Sequence, residues 1–197
     1  MQVIGLTGGV GSGKTLAAEL LRDITGGELL IADNLGHVAM ERDTVGYRQI
    51  VEAFGREILS GGGEIDRGKL SEQVFRDAGK LNRLNEIVHP QVKQYIEKYI
   101  FDRRKDEGVI ILESAILFET ACDKLCDEVW YVWVPKEVRI QRLRESRGYS
   151  EEKCRAIMAQ QMREEEYRQK CQRTVCNDGS VDKLREILLR FTVDYDR

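Results

Sequence analysis

The chain has 197 residues, of which 42% are hydrophobic and 33% charged, with a formal net charge of −3. That length supports one sizeable core with insertions, and the near-neutral balance gives no overall basic field for nucleic acid or anionic lipid. The longest apolar runs, such as WYVWV at 130–134, fall far short of a bilayer span and the chain enters its first expected strand at once, so no membrane segment or signal peptide is expected and the setting is cytoplasmic.

Val3, Ile4 and Leu6 form a short apolar run that predicts a strand over about 2–7, and Leu16, Ala17, Leu20, Leu21 and Ile24 recur at helical spacing over 14–24. Between them stands GGVGSGKT at 8–15. Read from Gly8 it fits GxxxxGK(S/T) in full, a phosphate-binding loop. Glycines let successive backbone N–H groups turn inward, and the following helix adds its positive dipole end to the same spot. Gly11, Ser12, Gly13, Lys14, Thr15 and Leu16 are therefore expected to hold the phosphates of a nucleoside triphosphate. Lys14 supplies charge to the transferring group, and the Thr15 hydroxyl is placed to ligate magnesium.

A strand over 28–32 leads to Asp33, followed by a possible helix at 35–41. The segment 67–105 reads as helical from Leu70, Val74, Leu81, Leu84, Ile87, Val88, Val92, Ile96 and Ile100, with glycines 61–63 on its approach and Pro90 starting a new helix after His89. Strands follow at 109–112, ending before Glu113, and at 128–134. The arginine-rich stretch 135–153 places Arg139 and Arg142 on one helical face with Arg147 beside them. It reads either as a solvated helix face or as a lid that brings positive charge to the phosphates and excludes water. A strand at 173–176 and a helix at 181–191 complete the pattern.

This alternation predicts an α/β fold with a doubly wound, five-stranded parallel sheet. It is expected as a single domain: a core of about 1–35, 107–135 and 170–197, a helical acceptor-binding insertion of about 36–106, and a lid of about 136–168. The long insertion lies where such sheets build the pocket for a second ligand. Asp33 and Glu113, immediately after strands, face the ligand crevice in this fold. Asp33 can act as general base or as a helix cap, and Glu113 can hold a water of the magnesium shell or serve as a loop carboxylate. Five cysteines at irregular spacing are expected as reduced thiols, with Cys122 and Cys126 spaced for one helical turn.

Taken together, LTGGVGSGKT, the IAD ending in Asp33, FG at 54–55, IDRGKL at 65–70, VF at 74–75, LNEIVHP at 84–90, LFE at 117–119, the arginines 142 and 147, Gln161 and NDGS at 177–180 resemble the dephospho-CoA kinase family, from residue 3 to about 188. The resemblance implies magnesium-dependent transfer of the ATP γ-phosphate to the 3′-hydroxyl of dephospho-CoA. It implies Asp33 as base, Lys14 as the charge on the transferring phosphate, Lys69, His89 and Leu117 lining the acceptor pocket, Arg142 and Arg147 in the lid, and Asn177 with Gly179 near the adenine. ATP and dephospho-CoA are then the partners, with no nucleic acid or membrane, and a monomer is expected. Three positions depart from the family: His37 where an arginine is common, Ala115 for a proline, and Tyr167 for a lysine. The alternatives are a nucleoside or nucleotide kinase with another acceptor, and a nucleotide-binding switch without catalysis. The VCNDGS segment lacks the lysine of a guanine-reading NKxD.

Overall fold

A computed structural model describes residues 1–75 and 77–192. In chain order its elements are β1 (Gln2–Thr7), α1 (Lys14–Thr25), β2 (Glu28–Ile31), α2 (Ala32–Val38), α3 (Val45–Phe54), α4 (Arg67–Phe75), α5 (Ala78–Arg103), β3 (Val109–Glu113) and β4 (Glu128–Trp133). Then come α6 (Lys136–Arg147), α7 (Glu151–Ala159), α8 (Glu164–Lys170), β5 (Arg173–Cys176) and α9 (Val181–Thr192). The chain divides into two compact units, Met1–Ile31 with the chain from Arg103 onward, and Ala32–Asp102.

The first unit holds the sheet, in the order β2-β3-β1-β4-β5 with every neighbouring pair parallel. Side chains alternate across each strand, and here both faces are covered. Trp130 and Val132 of β4 pack with Ala17, Ala18 and Leu21 of α1 and with Leu184 and Leu188 of α9, around Ile4, Leu6, Ile111 and Val175. Tyr131, between them, points the other way, and its ring stacks on Tyr167 of α8 with centroids 4.6 Å apart and planes 6° from parallel. This is the doubly wound arrangement. It explains why VIIL and VWYVWV lack polar alternation. The connections diverge on either side of β1, so the glycine-rich loop at its carboxyl end sits where such sheets bind ligands.

The second unit packs Ile50, Phe54, Ile58, Leu70 and Ile87 into one cluster, with Met40, Leu84 and Val88 against it. The helical middle is two helices because Asp77 intervenes: its Oδ1 accepts from the N–H groups of Gly79 (2.8 Å) and Lys80 (3.1 Å), which caps α5. Pro90, expected to open a new helix, instead lies inside α5. A proline forfeits one intrahelical bond and costs about 3 kcal/mol. Ile87 before it and Val92, Ile96 and Ile100 after it are all buried, and burying each contributes about 1.5–3 kcal/mol, so the helix continues.

Two further boundaries differ from expectation. β2 ends at Ile31 and α2 starts at Ala32 with no loop, so Asp33 is the second residue of a helix rather than a strand-end loop residue or the cap of a helix at 35–41. Glu113 is the last residue of β3, not the residue after it, and stands in register with Leu6 and Ile31. Among the described residues no helix is long and apolar enough to cross a membrane.

Candidate active site

The loop after β1 is built by backbone geometry that side chains disfavour. Gly11 and Gly13 have φ of 79° and 82°, and Gly13 caps α1 in the left-handed region. A β-carbon on Gly13 would also collide with the Asn177 amide. Ser12 N–H donates to Gly9 O (3.1 Å) and Val10 N–H to Gln161 Oε1 (3.0 Å). The N–H groups of Gly11, Gly13, Thr15 and Leu16 have no acceptor among the described residues. These open donors, next to the positive end of α1, form a cradle for an anion. Lys14 Nζ donates to Gly9 O at 3.4 Å, which folds its ammonium back over the same loop.

Among the described residues the hydroxyls of Ser12 and Thr7 are buried with no partner. Buried polar atoms left unpaired cost about 1–3 kcal/mol, so they mark a place where a ligand oxygen or water completes the site. Beside them Thr15 Oγ1 donates to Glu113 Oε2 at 3.4 Å. The strand register makes this meeting possible: β3 neighbours β1, so a carboxylate at the end of β3 reaches the first turn of α1. Glu113 is only 3% exposed. A hydroxyl and a buried carboxylate are hard oxygen donors, a set that suits magnesium.

Two arginines of α6 contact the loop surroundings. Arg142 Nη2 donates to Asn177 O (2.9 Å), and Asn177 Nδ2 donates to Ser12 O (2.8 Å), so the buried Asn177 ties α6 and the end of β5 to the loop. Arg139, not among the residues expected to bind ATP, donates through Nε to Val10 O (2.8 Å) and through Nη2 to Gln161 Oε1 (2.9 Å). The available signal was its place three residues before Arg142 on the same helical face. Burial lowers the pKa of its guanidinium, an effect only partly offset by the nearby Tyr131, Tyr167 and Glu164. Burial likewise pushes the Tyr131 and Tyr167 hydroxyls up to about 12. Tyr167 is thus a neutral stacking partner of Tyr131. Arg147 lies exposed in the last turn of α6 with no hydrogen bond or ion pair among the described residues. Gly179 is exposed beside the Lys183 side chain.

Leu117 is fully buried next to Gly5, as a core residue. Within the second unit, Asp33 is exposed in the first turn of α2 and accepts no side-chain hydrogen bond among the described residues. Lys69 Nζ donates to Leu59 O (2.7 Å), and His89 is half-buried on α5. His37 lines a groove of about 550 Å³ together with Met40, Glu41, Arg42, Glu64, Ile65 and Arg67. Among the described residues no group of three or more His, Cys, Asp or Glu side chains gathers to hold a metal ion. Burial pushes the Cys126 and Cys171 thiols up to about 12, which favours their neutral form.

Phosphate loops of this form serve switches and phosphotransferases alike. Here arginines from the chain's own α6 reach the loop, and residues 177–180 carry no lysine for reading guanine, so fold and site define a P-loop kinase. The model of the dephospho-CoA kinase family matches residues 2–183, and the chain belongs to that family. It is 35% identical over 191 residues to the dephospho-CoA kinase of Carboxydothermus hydrogenoformans, covering 96% of this chain and 92% of that one. A solved Thermus thermophilus structure is 31% identical with a TM-score of 0.82, covering 98% of this chain and 97% of the other. The dephospho-CoA kinase structure from Campylobacter jejuni, at 22% identity and a TM-score of 0.75, covers 99% of this chain and 98% of its own and shares the fold.

Proposed function

We propose that the chain transfers the γ-phosphate of ATP to the ribose 3′-hydroxyl of dephospho-CoA, giving CoA and ADP, the final step of coenzyme A biosynthesis. The observation that carries this reading is an intact phosphate cradle within a family match that runs over residues 2–183. The open N–H groups of the loop bind the phosphate oxygens, and Lys14 stabilises the charge that develops on the transferring group. Thr15 and Glu113 are the residues that would hold magnesium, directly or through its waters. When bound, that ion supplies charge neutralisation of the phosphates. Asp33 takes the proton of the attacking 3′-hydroxyl, so the oxygen gains nucleophilic character as its bond to phosphorus forms. Arg142 adds positive charge on the loop side, and the α6–α8 segment acts as the lid that keeps water from the nucleotide.

On the acceptor side, Lys69 and His89 line the dephospho-CoA site. The guanidinium groups of Arg42 and Arg67 in the groove beside His37 supply permanent positive charge where histidine replaces an arginine. The protein works in the cytoplasm as a monomer on these two small-molecule substrates. The test is an acceptor panel: ADP formation with dephospho-CoA, AMP, dCMP, uridine and pantothenate, each with ATP and magnesium. Turnover confined to dephospho-CoA is expected. Turnover with a nucleoside or nucleotide and none with dephospho-CoA rejects the reading.

A further inference from the structure

The sequence GGVGSGKT places Val10 between two glycines, in the part of the loop with the greatest backbone freedom. Ordering such a segment costs about 1–2 kcal/mol per residue, so its preorganisation governs how well the loop binds an anion. Yet both backbone polar groups of Val10 are engaged. Its N–H donates to Gln161 Oε1 (3.0 Å), its C=O accepts from Arg139 Nε (2.8 Å), and Arg139 Nη2 donates to that same Gln161 oxygen (2.9 Å). The three residues form a closed ring of hydrogen bonds. The Val10 side chain packs against the cluster of Ile140, Leu143 and Cys154, which belongs to α6 and α7. The Arg139 guanidinium also lies so close to Gly9 that a β-carbon there would collide with it.

We propose that Arg139 is a positioning residue for ATP, acting with Gln161 to fix Val10 so that the N–H groups following it stay aimed into the phosphate cradle. The proposal rests on reading the loop as the ATP site. Arg139 suits this task because its planar fork bonds two acceptors at once, the Val10 carbonyl and the Gln161 amide, and so holds the amide in the orientation that accepts from Val10. The ring satisfies a charged side chain that is half-buried: Tyr131, Tyr167 and Glu164 act on it electrostatically, and partial burial strengthens the hydrogen bonds it makes. Removing either side chain frees both ends of Val10, because the Gln161 amide without Arg139 can rotate and the Arg139 fork without Gln161 loses one of its two anchors. The two residues therefore act as one unit.

The experiment is equilibrium binding of a fluorescent ATP analogue with magnesium to the wild type, Arg139→Ala, Gln161→Ala and the double variant, together with steady-state kinetics and melting temperatures. Each single change is expected to weaken nucleotide binding about tenfold, equivalent to about 1.4 kcal/mol. KM for dephospho-CoA stays as in the wild type, and the double variant is no weaker than about twofold below the worse single one. Arg139→Lys, which keeps the charge but reaches one acceptor at a time, falls between wild type and Arg139→Ala. Should Arg139→Ala fail to fold, Gln161→Ala alone carries the binding test. A fall in kcat with nucleotide affinity intact would assign Arg139 to the transferring phosphate and overturn the proposal. So would additive losses from the two sites, or a lower melting temperature with unchanged affinity. Because nucleotide binding is read without an acceptor, an error in the acceptor assignment appears separately, as absent turnover by the wild type.

Discussion

Replacing Asp33 by asparagine separates catalysis from architecture. Asp33 is exposed, stands in the first turn of α2 and accepts no side-chain hydrogen bond among the described residues. Its structural contribution is confined to the attraction between a carboxylate and the positive end of a short helix, about 0.3–1 kcal/mol at an exposed site. For a chain of this size 1 kcal/mol moves Tm by about 2–4 °C, so Asp33→Asn should shift the melting midpoint by no more than about 4 °C. As the proposed general base, its catalytic contribution would be much larger. A ribose hydroxyl needs somewhere to send its proton, and a positioned general base typically contributes ~10²–10⁴ in rate, which the nearly isosteric amide cannot supply. The assay is coupled ADP release at saturating ATP and dephospho-CoA, beside a thermal melt and binding measurements for both substrates. The expected pattern is a kcat at least about a hundredfold lower with KM values and Tm nearly unchanged. A variant that loses a few degrees of stability and keeps its kcat would refute the assignment of Asp33 as base.

Lys14→Ala should lower kcat by ~10²–10³ while the protein still melts cooperatively, because a preorganised donor at the transferring group acts chiefly in the transition state; wild-type kcat would contradict this. Glu113→Gln should raise the magnesium concentration for half-maximal rate by about 10–100-fold, the loss expected for hydrogen bonds to a charged group of about 1.5–3 kcal/mol. Stability should hold or rise in that variant, since a buried amide is cheaper to desolvate than the 3%-exposed carboxylate; an unchanged magnesium requirement would remove Glu113 from the metal site. Arg142→Ala should lower kcat about tenfold through its tie to Asn177, whereas Arg147→Ala, exposed and unpaired among the described residues, should change kcat less than twofold. Wild-type kinetics for both variants would argue for a solvated helix face at both positions.

Features set by local chain chemistry were readable from the sequence. The loop announces itself because four glycines, Lys14 and Thr15 act within eight residues, and the buried strands do so because VIIL and VWYVWV have no polar face to show. Features set by register or side-chain direction were not. Thr15 and Glu113 are both expected at magnesium, but that they meet directly depends on β3 lying beside β1, a neighbour relation between segments about 98 residues apart. Arg139 looked like one more charge on an alternating helix, and only its direction toward Val10 distinguishes it from Arg147. Pro90 reads as a breaker from local chemistry alone, whereas the buried residues on either side of it carry α5 through. Asp33 was placed correctly along the chain and wrongly in its element, since a strand that turns into a helix without a loop leaves no punctuation to read.

The most direct test of the account is the identity of the product. Incubation of the purified chain with ATP, magnesium and dephospho-CoA, followed by phosphorus NMR and mass analysis, should show ADP and, in equal amount, a compound identical to authentic CoA with its new phosphate on the ribose 3′-oxygen. ADP accompanied by free phosphate and unchanged dephospho-CoA, or a phosphate on any other oxygen of the acceptor, would contradict it.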